Sequence, residues 1–241
     1  PAQDNILLKS DKVIATPHLS ASTVEAEISA GRDAAEQVVA VLSGNPARSP
    51  VNAPLVSAEA MVVLGPHLEV SKTIGRVAAQ LITKQPESLT IRYQGDIIEG
   101  ETDPVKVAVL SGLLGMMTEE RVNMVNADIM ASSRGIRVTE EKDSACENYA
   151  SMVTVEVNTT CAKTLVSGSS LRGKTYLTRV DDYCLEIGPS TSYMLFTEHK
   201  DRPGMIGAVG TIIGSAGFNI SQMQVSLGLQ HGDRAMMALC L

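Results

Sequence analysis

Aromatic residues are scarce in this chain: they make up 3% of its 241 residues, and tryptophan is absent. Proteins that bind single-stranded nucleic acids stack bases on aromatic side chains, so the composition argues against that function. Positively charged residues are also few: the chain has 20 Lys and Arg but 27 Asp and Glu, which gives a formal net charge of −7. This balance argues against nucleic-acid and anionic-membrane partners, which bind basic surfaces.

The chain also lacks an apolar run that could cross a membrane. Its longest one, residues 105–117, contains Lys106 and is too short. No signal peptide is recognisable, so we expect a cytoplasmic protein. Because the first residue is Pro1 rather than Met, we expect the natural protein to begin further upstream.

Cysteine is present but not in pairs that bind metals. None of the four cysteines forms a C-x-x-C pair, and no histidine lies at metal-ligand spacing from them. They are Cys146, Cys161, Cys184 and Cys240. We therefore expect free, buried thiols in a reducing compartment and no metal site.

Two segments rich in glycine, proline and polar residues, 44–50 and 188–190, divide the chain into three predicted domains. These are residues 1–47, 51–187 and 191–241. In the first, an apolar strand ending at Thr16 precedes a helix over 23–43, opened by a capping box of Ser22 and Glu25. Gly44 is the predicted stop of that helix.

The middle domain is predicted to mix helices and strands. Helices are expected over 57–83 with a break at Gly65-Pro66, and over 103–117 and 119–133. Strands are expected over 89–93, 136–140, 150–159, 162–167, 175–179 and 183–187. The last domain has the order β-α-β-β, with strands over 192–198, 218–227 and 234–241. The fold class is therefore α/β, with α+β character in the later domains.

His18 is the candidate catalytic residue of the first domain. It lies between the predicted strand and the predicted helix, and rigid elements on both sides suit an acid–base group. Histidine gains and loses a proton near neutral pH, as general acid–base catalysis requires. A purely structural histidine at this corner fits the residues equally well.

The turn from His199 to Gly204 is the candidate binding site of the last domain. Asp201 is predicted to cap the following helix, with Pro203 in its first turn, so that backbone N–H groups face a carboxylate. Together with Asn219, which follows the helix, His199 and Asp201 form a candidate site for a zwitterion. The alternative is an ordinary capped turn with polar surface groups.

A second candidate site is the turn Arg172-Gly173-Lys174 in the middle domain. Two cations that flank a glycine between strands suit a phosphate or another anion. The alternative is a solvated hairpin turn.

Residues 192–241 resemble an ACT domain, a small ferredoxin-like amino-acid sensor. The resemblance lies in Asp201-Arg202-Pro203-Gly204, Gly207, Gly210 and Gly217-Phe218-Asn219-Ile220. It covers the first four elements, βαββ, and the family's last helix and strand are absent from the chain. By this resemblance, His199, Asp201 and Asn219 bind an amino-acid effector.

Residues 14–23 resemble the catalytic-histidine segment of D-2-hydroxyacid dehydrogenases, most closely that of D-3-phosphoglycerate dehydrogenases, although the family usually has Gly in place of Ser20. Residues 51–187 resemble the intervening domain of the long form, an allosteric module that binds substrate or anions. That resemblance is carried by 51–54, 74–78 and 123–127.

These resemblances imply the C-terminal part of an enzyme that oxidises 3-phosphoglycerate with NAD, the first step of L-serine synthesis. His18 takes the hydroxyl proton, and L-serine bound at His199, Asp201 and Asn219 inhibits a homo-oligomer, expected to be a tetramer. The dinucleotide domain lies outside this chain, so no cofactor residue is assigned in it and the chain alone is expected to be inactive. The alternatives are a stand-alone amino-acid-sensing module and a regulatory subunit of serine dehydratase, whose family has a similar intervening domain; the His18 segment fits neither.

Overall fold

The computed structural model describes residues 5–19, 21–43, 47–51, 58–189, 193–230 and 232–241, with no side-chain description for 58–63. The chain divides into two compact units, residues 1–51 and 52–241. The limit between them, after residue 51, lies next to the boundary predicted at 44–50. The boundary predicted at 188–190 lies inside the second unit, and the division into three domains stays a prediction.

The first unit contains one long helix, α1 (Val24–Leu42), after a short 3-10 turn (Ile6–Lys9). Thr23 caps α1, because its hydroxyl accepts a hydrogen bond from the Ala26 N–H at 3.1 Å; the predicted cap at Ser22 was wrong by one residue. The predicted strand before Thr16 was also wrong. No described strand of this unit lies beside it to complete a ladder, and Ile14 is 92% exposed.

Helix α1 buries none of its residues. Its apolar side chains lie on the surface of this unit: Val24, Ile28, Val38, Val39, Val41 and Leu42 are exposed. The predicted stop at Gly44 lies outside the described residues.

The second unit begins with a layer of helices on a sheet. Its helices are α2 (Ala58–Leu81), α3 (Asp103–Leu114) and α4 (Ala127–Ser133). Its strands are β1 (Pro86–Gly95), β2 (Arg137–Asp143), β3 (Ser151–Thr159), β4 (Lys163–Leu171), β5 (Lys174–Val180) and β6 (Tyr183–Ile187). The sheet order is β2-β1-β3-β4-β5-β6, with β1 and β2 parallel and the other pairs antiparallel. The mixed fold class is confirmed.

The core lies between this sheet and helices α2 and α3. Alternate residues of β1 and β3 are fully buried, as expected of strands with one face on a core. Val70 and Ile74 of α2 reach β4, where both side chains meet Gly168. Val70 and Ile74 belong to one apolar cluster with residues of α3 such as Leu110 and Leu113. This packing fixes the helices on one face and leaves the other face of the sheet to form a cleft.

Two predicted helix boundaries in this region were wrong. Helix α2 continues through Pro66, where a break was predicted, because burial of Leu64, Val70 and Ile74 outweighs the missing N–H of proline. The helix predicted over 119–133 starts only at residue 127. The side-chain oxygens of Asn123 and Asn126 accept hydrogen bonds from nearby backbone N–H groups at 2.7–3.1 Å. Such bonds compete with the backbone hydrogen bonds of a helix.

The last part of the second unit is a three-stranded sheet with one helix. Strands β7 (Met194–Lys200), β8 (Gln222–Leu227) and β9 (Arg234–Cys240) pair antiparallel in the order β7-β9-β8, and the helix is α5 (Met205–Ser215). Strand β8, which was predicted over 218–227, begins at residue 222, four residues later than predicted. Gly217, at φ +82°, ends α5 as predicted.

Strand β9 is buried on both faces. Met237 and Leu239 pack with Ile213 of α5. The alternate residues, Met236 and Ala238, join the core of the six-stranded sheet. The three-stranded sheet is therefore covered by α5 on one face and by the rest of the unit on the other.

The cysteines are free, but only Cys240 is buried as predicted. Cys146 is half-buried, and Cys161 and Cys184 are exposed, because they lie in loops or on the open side of β6. In the described part of the chain, no group of histidines, cysteines and carboxylates is arranged to hold a metal ion. None of the described helices is long and apolar enough to span a bilayer.

The turn between β5 and β6 holds a partly buried carboxylate, whose cost in stability can be measured. Asp181, at φ +48°, accepts the Leu165 N–H at 2.8 Å. Burial raises the pKa of Asp181, against the lowering effects of this bond and of Arg179. A carboxyl with a raised folded-state pKa costs stability above that pKa, and the cost disappears as the pH falls through it.

Asp181→Asn should therefore raise the free energy of unfolding at pH 7 by up to about 1 kcal/mol. The amide keeps the acceptor and tolerates positive φ, but it carries no charge. Urea titrations at pH 7 and at an acidic pH measure this gain in stability, which should be smaller at the acidic pH. Asp143→Asn, where the exposed carboxylate accepts the Ala145 N–H, should change stability little; an equal gain there would contradict the role of burial.

Candidate functional site

A cleft of about 450 Å³ opens where β7 meets the start of α5. The end of β7, the following turn and the first turn of α5 supply most of its wall. Its lining residues are His199, Asp201, Arg202, Pro203, Gly204, Met205, Ile206, Gly207, Val225 and Met237. The structure thus brings two of the predicted effector residues, His199 and Asp201, into one cleft.

The N-cap of this helix was predicted wrongly. Gly204, at φ +88°, is the N-cap of α5, and no side chain caps it. Asp201 instead donates its own N–H to the Asp233 carbonyl at 2.9 Å, and Pro203 precedes the cap. The first-turn N–H groups of α5 consequently have no side-chain acceptor among the described residues, and the positive end of the helix dipole faces the cleft.

His199 lies at the end of β7, opposite Ala235 of β9. Its Nδ1 lies 3.0 Å from the Lys200 carbonyl oxygen. Its Nε2 is buried and has no hydrogen-bond partner among the described residues, and the same is true of the Thr197 hydroxyl two residues earlier. Sequence patterns did not single out Thr197.

Asn219, the third predicted effector residue, is exposed after the end of α5. It is not part of the cleft wall formed by His199 and Asp201. Its role as an effector residue stays a prediction.

The opposite side of β7 carries an ion pair that sequence reasoning missed. Glu198 Oε1 accepts a hydrogen bond from the Tyr183 hydroxyl at 2.9 Å and from Arg234 Nε at 2.5 Å. Burial first, and then the bond to Glu198, raise the pKa of Tyr183. This contact ties the strand that carries His199 to β6 of the six-stranded sheet. No local sequence pattern joins residues so far apart.

His18 lies in the first unit, exposed, in the loop before α1. Its φ of +62° is unusual for a residue other than glycine and marks a constrained corner. Its catalytic role stays a prediction.

The turn Arg172-Gly173-Lys174 is a tight hairpin between β4 and β5, with Arg172 and Gly173 both at positive φ. Lys174 lines a cleft of about 500 Å³ together with Glu69, Thr73 and Gln222, but Arg172 does not. The two cations are therefore not brought together by one cleft, and Glu69 places a negative charge in it.

Another cleft, of about 740 Å³, lies on the face of the six-stranded sheet opposite the helices. Several of its polar groups are engaged within the protein: Arg92 pairs with Glu141 at 2.7 Å, and the Thr154 and Ser167 hydroxyls bond each other at 2.8 Å. We assign no ligand to it.

Comparison with known proteins agrees with the architecture. Residues 63–180 match the D-3-phosphoglycerate dehydrogenase intervening domain. The chain is 41% identical to D-3-phosphoglycerate dehydrogenase of Synechocystis over its whole length, which is 44% of that protein. It is 34% identical to the enzyme of Methanocaldococcus jannaschii and 31% identical to that of Bacillus subtilis, over 98% of the chain and 45% of each relative.

The chain thus spans less than half the length of these relatives, and it matches their C-terminal part. The resemblance to D-3-phosphoglycerate dehydrogenases is confirmed, and it is most direct in the middle domain. The resemblance of residues 192–241 to an ACT domain stays a prediction. Residues 63–180 belong to the family of D-3-phosphoglycerate dehydrogenase intervening domains, and the chain as a whole is similar to the C-terminal part of D-3-phosphoglycerate dehydrogenases.

Proposed function

We propose that this chain is the C-terminal, regulatory part of an NAD-dependent D-3-phosphoglycerate dehydrogenase that makes 3-phosphohydroxypyruvate for L-serine synthesis. Similarity to such enzymes along the whole chain supports this proposal. The observation that carries the regulatory role is the cleft beside His199, where the first turn of α5 has no side-chain cap.

L-Serine is the proposed effector. Its carboxylate binds the free N–H groups of the first turn of α5, and Asp201 binds its ammonium group from the same cleft. Asn219 is the weakest of the three proposed effector residues, because it lies outside the cleft wall. Feedback inhibition then requires that the cleft differ between the active and inhibited states of the oligomer.

In the intact enzyme, His18 accepts the proton of the substrate hydroxyl. The sequence contains no G-x-G-x-x-G loop, so the residues of this chain do not fit a dinucleotide site, and we propose no catalysis by the chain alone. The parent enzyme is proposed to be a cytoplasmic homo-oligomer, a tetramer by family resemblance. An anion site at Arg172 and Lys174 is a weaker proposal, since only Lys174 lines a cleft.

A stand-alone amino-acid-sensing module is the alternative function. The same cleft favours it, because effector binding does not require the dehydrogenase. Exposed apolar residues along α1 favour the enzyme instead, since a sensor has no evident use for that surface.

Isothermal titration of the chain with L-serine tests the effector site. We expect saturable binding that weakens at least tenfold in His199→Ala and Asp201→Ala, because each removes a polar side chain from the cleft wall. Asn148→Ala, in an exposed loop of the middle domain, should leave the affinity unchanged. Absence of binding, or equal loss in all three variants, would refute the effector site.

A further inference from the structure

Strands β6 and β8 lie side by side where the six-stranded and the three-stranded sheets meet, and they pair at one end only. The backbone N–H of Leu229 donates to the Asp182 carbonyl at 3.0 Å, and the adjacent residues Tyr183 and Gly228 form an antiparallel bridge. No further bridge joins these two fully described strands, so the two sheets stay separate. We call this boundary between β6 and β8 the seam.

Both strands direct backbone groups into the seam at matching positions. In β8, Gly228 donates its N–H to the Arg234 carbonyl of β9 at 3.0 Å. Backbone groups alternate in direction along a strand, so those of the odd-numbered residues, Val225 among them, face β6. In β6 the Asp182 carbonyl faces β8, and the backbone groups of Glu186, four residues on, face the same way. The register of the bridge, continued along the seam, places Glu186 opposite Val225.

A side chain takes the place of a hydrogen bond between these two residues. A ladder would direct the Glu186 N–H to the Val225 carbonyl, but it donates instead to the side-chain Oε1 of Gln224 at 2.6 Å. Neighbouring strands of a sheet lie about 4.8 Å apart, and the interposed amide keeps the two backbones from reaching that spacing. Gln224 thus holds the seam open at the end far from Asp182.

The residue next to Gln224 belongs to the cleft between β7 and α5. Val225 lines that cleft together with His199 and Asp201. Pairing of Val225 with Glu186 would draw it toward β6 and out of the cleft wall. A ligand stabilises the conformation that holds its binding site, and such coupling is reciprocal. The state of the seam and the occupancy of the cleft are therefore linked through one strand, β8.

We propose that the seam is a conformational switch between the two sheets, with Gln224 as its latch. In the latched state the sheets have six and three strands, as in this structure. In the zipped state Glu186 pairs with Val225, and the strands form one sheet in the order β2-β1-β3-β4-β5-β6-β8-β9-β7. The link from the seam to the cleft rests on the proposed effector function, whereas the two states of the seam do not.

Disulfide formation across the seam tests the zipped state. Glu186→Cys and Val225→Cys are combined in the full 241-residue chain with Cys184→Ser, which removes the neighbouring thiol. A hydrogen-bonded antiparallel pair has Cα atoms about 5.5 Å apart, which suits a disulfide, so the link should form in the zipped seam. In a glutathione redox buffer, adding Gln224→Ala should speed the link at least about threefold, because it removes the hydrogen bond of the latch. Mass spectrometry of the linked peptides measures the rate.

Ser226→Cys in place of Val225→Cys is the matched control. Residue 226 points to the opposite face of β8, so it should give no link to residue 186 with or without Gln224. Equal rates with and without Gln224, no link in either, or a link at residue 226 as fast as at residue 225 would overturn the switch.

L-Serine tests the link from the seam to the cleft. In the variant that lacks Gln224, saturating L-serine should slow the disulfide at least about threefold, because it holds residue 225 in the cleft wall. If titration shows binding but the rate is unchanged, the link to the cleft is overturned while the effector site stands. If L-serine does not bind, the effector function falls and this link falls with it, and the disulfide rates still decide the switch.

Discussion

Gly75→Ala is expected to lower the free energy of unfolding by about 3 kcal/mol or more, because α2 and α3 touch at this residue. A Cβ on Gly75 would lie 2.3 Å from the Val109 carbonyl oxygen of α3 and 3.0 Å from the Leu113 nitrogen. These are backbone atoms, which no side-chain rotation can move away. The helices would have to separate, and the core below them, which contains Ile74 and Leu110, would lose packing.

The same contact has a second glycine. A Cβ on Gly112 of α3 would lie 2.2 Å from the Lys72 carbonyl oxygen of α2, so Gly112→Ala should cost as much. The double variant should cost less than the sum, since one separation of the helices accommodates both methyl groups. Urea denaturation followed by circular dichroism measures all three values.

Gly65→Ala is the matched control in the same helix. No described atom lies within 4 Å of a Cβ there, and the propensity gain of alanine is opposed by the restriction that Pro66 places on the residue before it. Gly65→Ala should therefore change the free energy of unfolding by less than about 1 kcal/mol. If Gly75→Ala changed it as little, the close crossing of α2 and α3 would be refuted.

Elements with a clear hydrophobic period could be predicted from the sequence. The β6 range 183–187 was predicted to the residue, because Tyr183, Leu185 and Ile187 alternate with polar residues and a turn precedes them. Helix ends were harder, since they depend on competition between local bonds. Pro66 suggested a break that core packing overrides, and Asp201 suggested a cap where the chain uses Gly204 instead.

The candidate site was predictable only in part. The turn after β7 carries a recognisable motif, and His199 and Asp201 do line one cleft. The contacts of Glu198 with Tyr183 and Arg234 join three strands, and no local pattern encodes such a meeting. The Thr197 hydroxyl is buried without a partner among the described residues, and this is a property of the packed structure alone.

The second large effect is expected at Lys106, the cation within the apolar run that argued against a membrane span. Its side chain is only 15% exposed, and Nζ lies 3.2–3.4 Å from carboxylates of Asp103, Asp128 and Glu140. Burial alone would lower the pKa of Lys106, but these carboxylates outweigh it and raise the pKa. Tyr93, whose hydroxyl donates to Glu140 at 2.8 Å, joins the same network.

Lys106→Met should lower the free energy of unfolding at pH 7 by about 2–3 kcal/mol, because three carboxylates then face one another without a cation. Adding Glu140→Gln should restore part of this loss, since it removes one of the charges and keeps an acceptor for Tyr93. Lys163→Met is the control, since Lys163 is 58% exposed and pairs with Glu156 at 2.8 Å; it should cost less than about 1 kcal/mol. Equal losses in Lys106→Met and Lys163→Met would show that burial adds nothing to the ion pairs of Lys106.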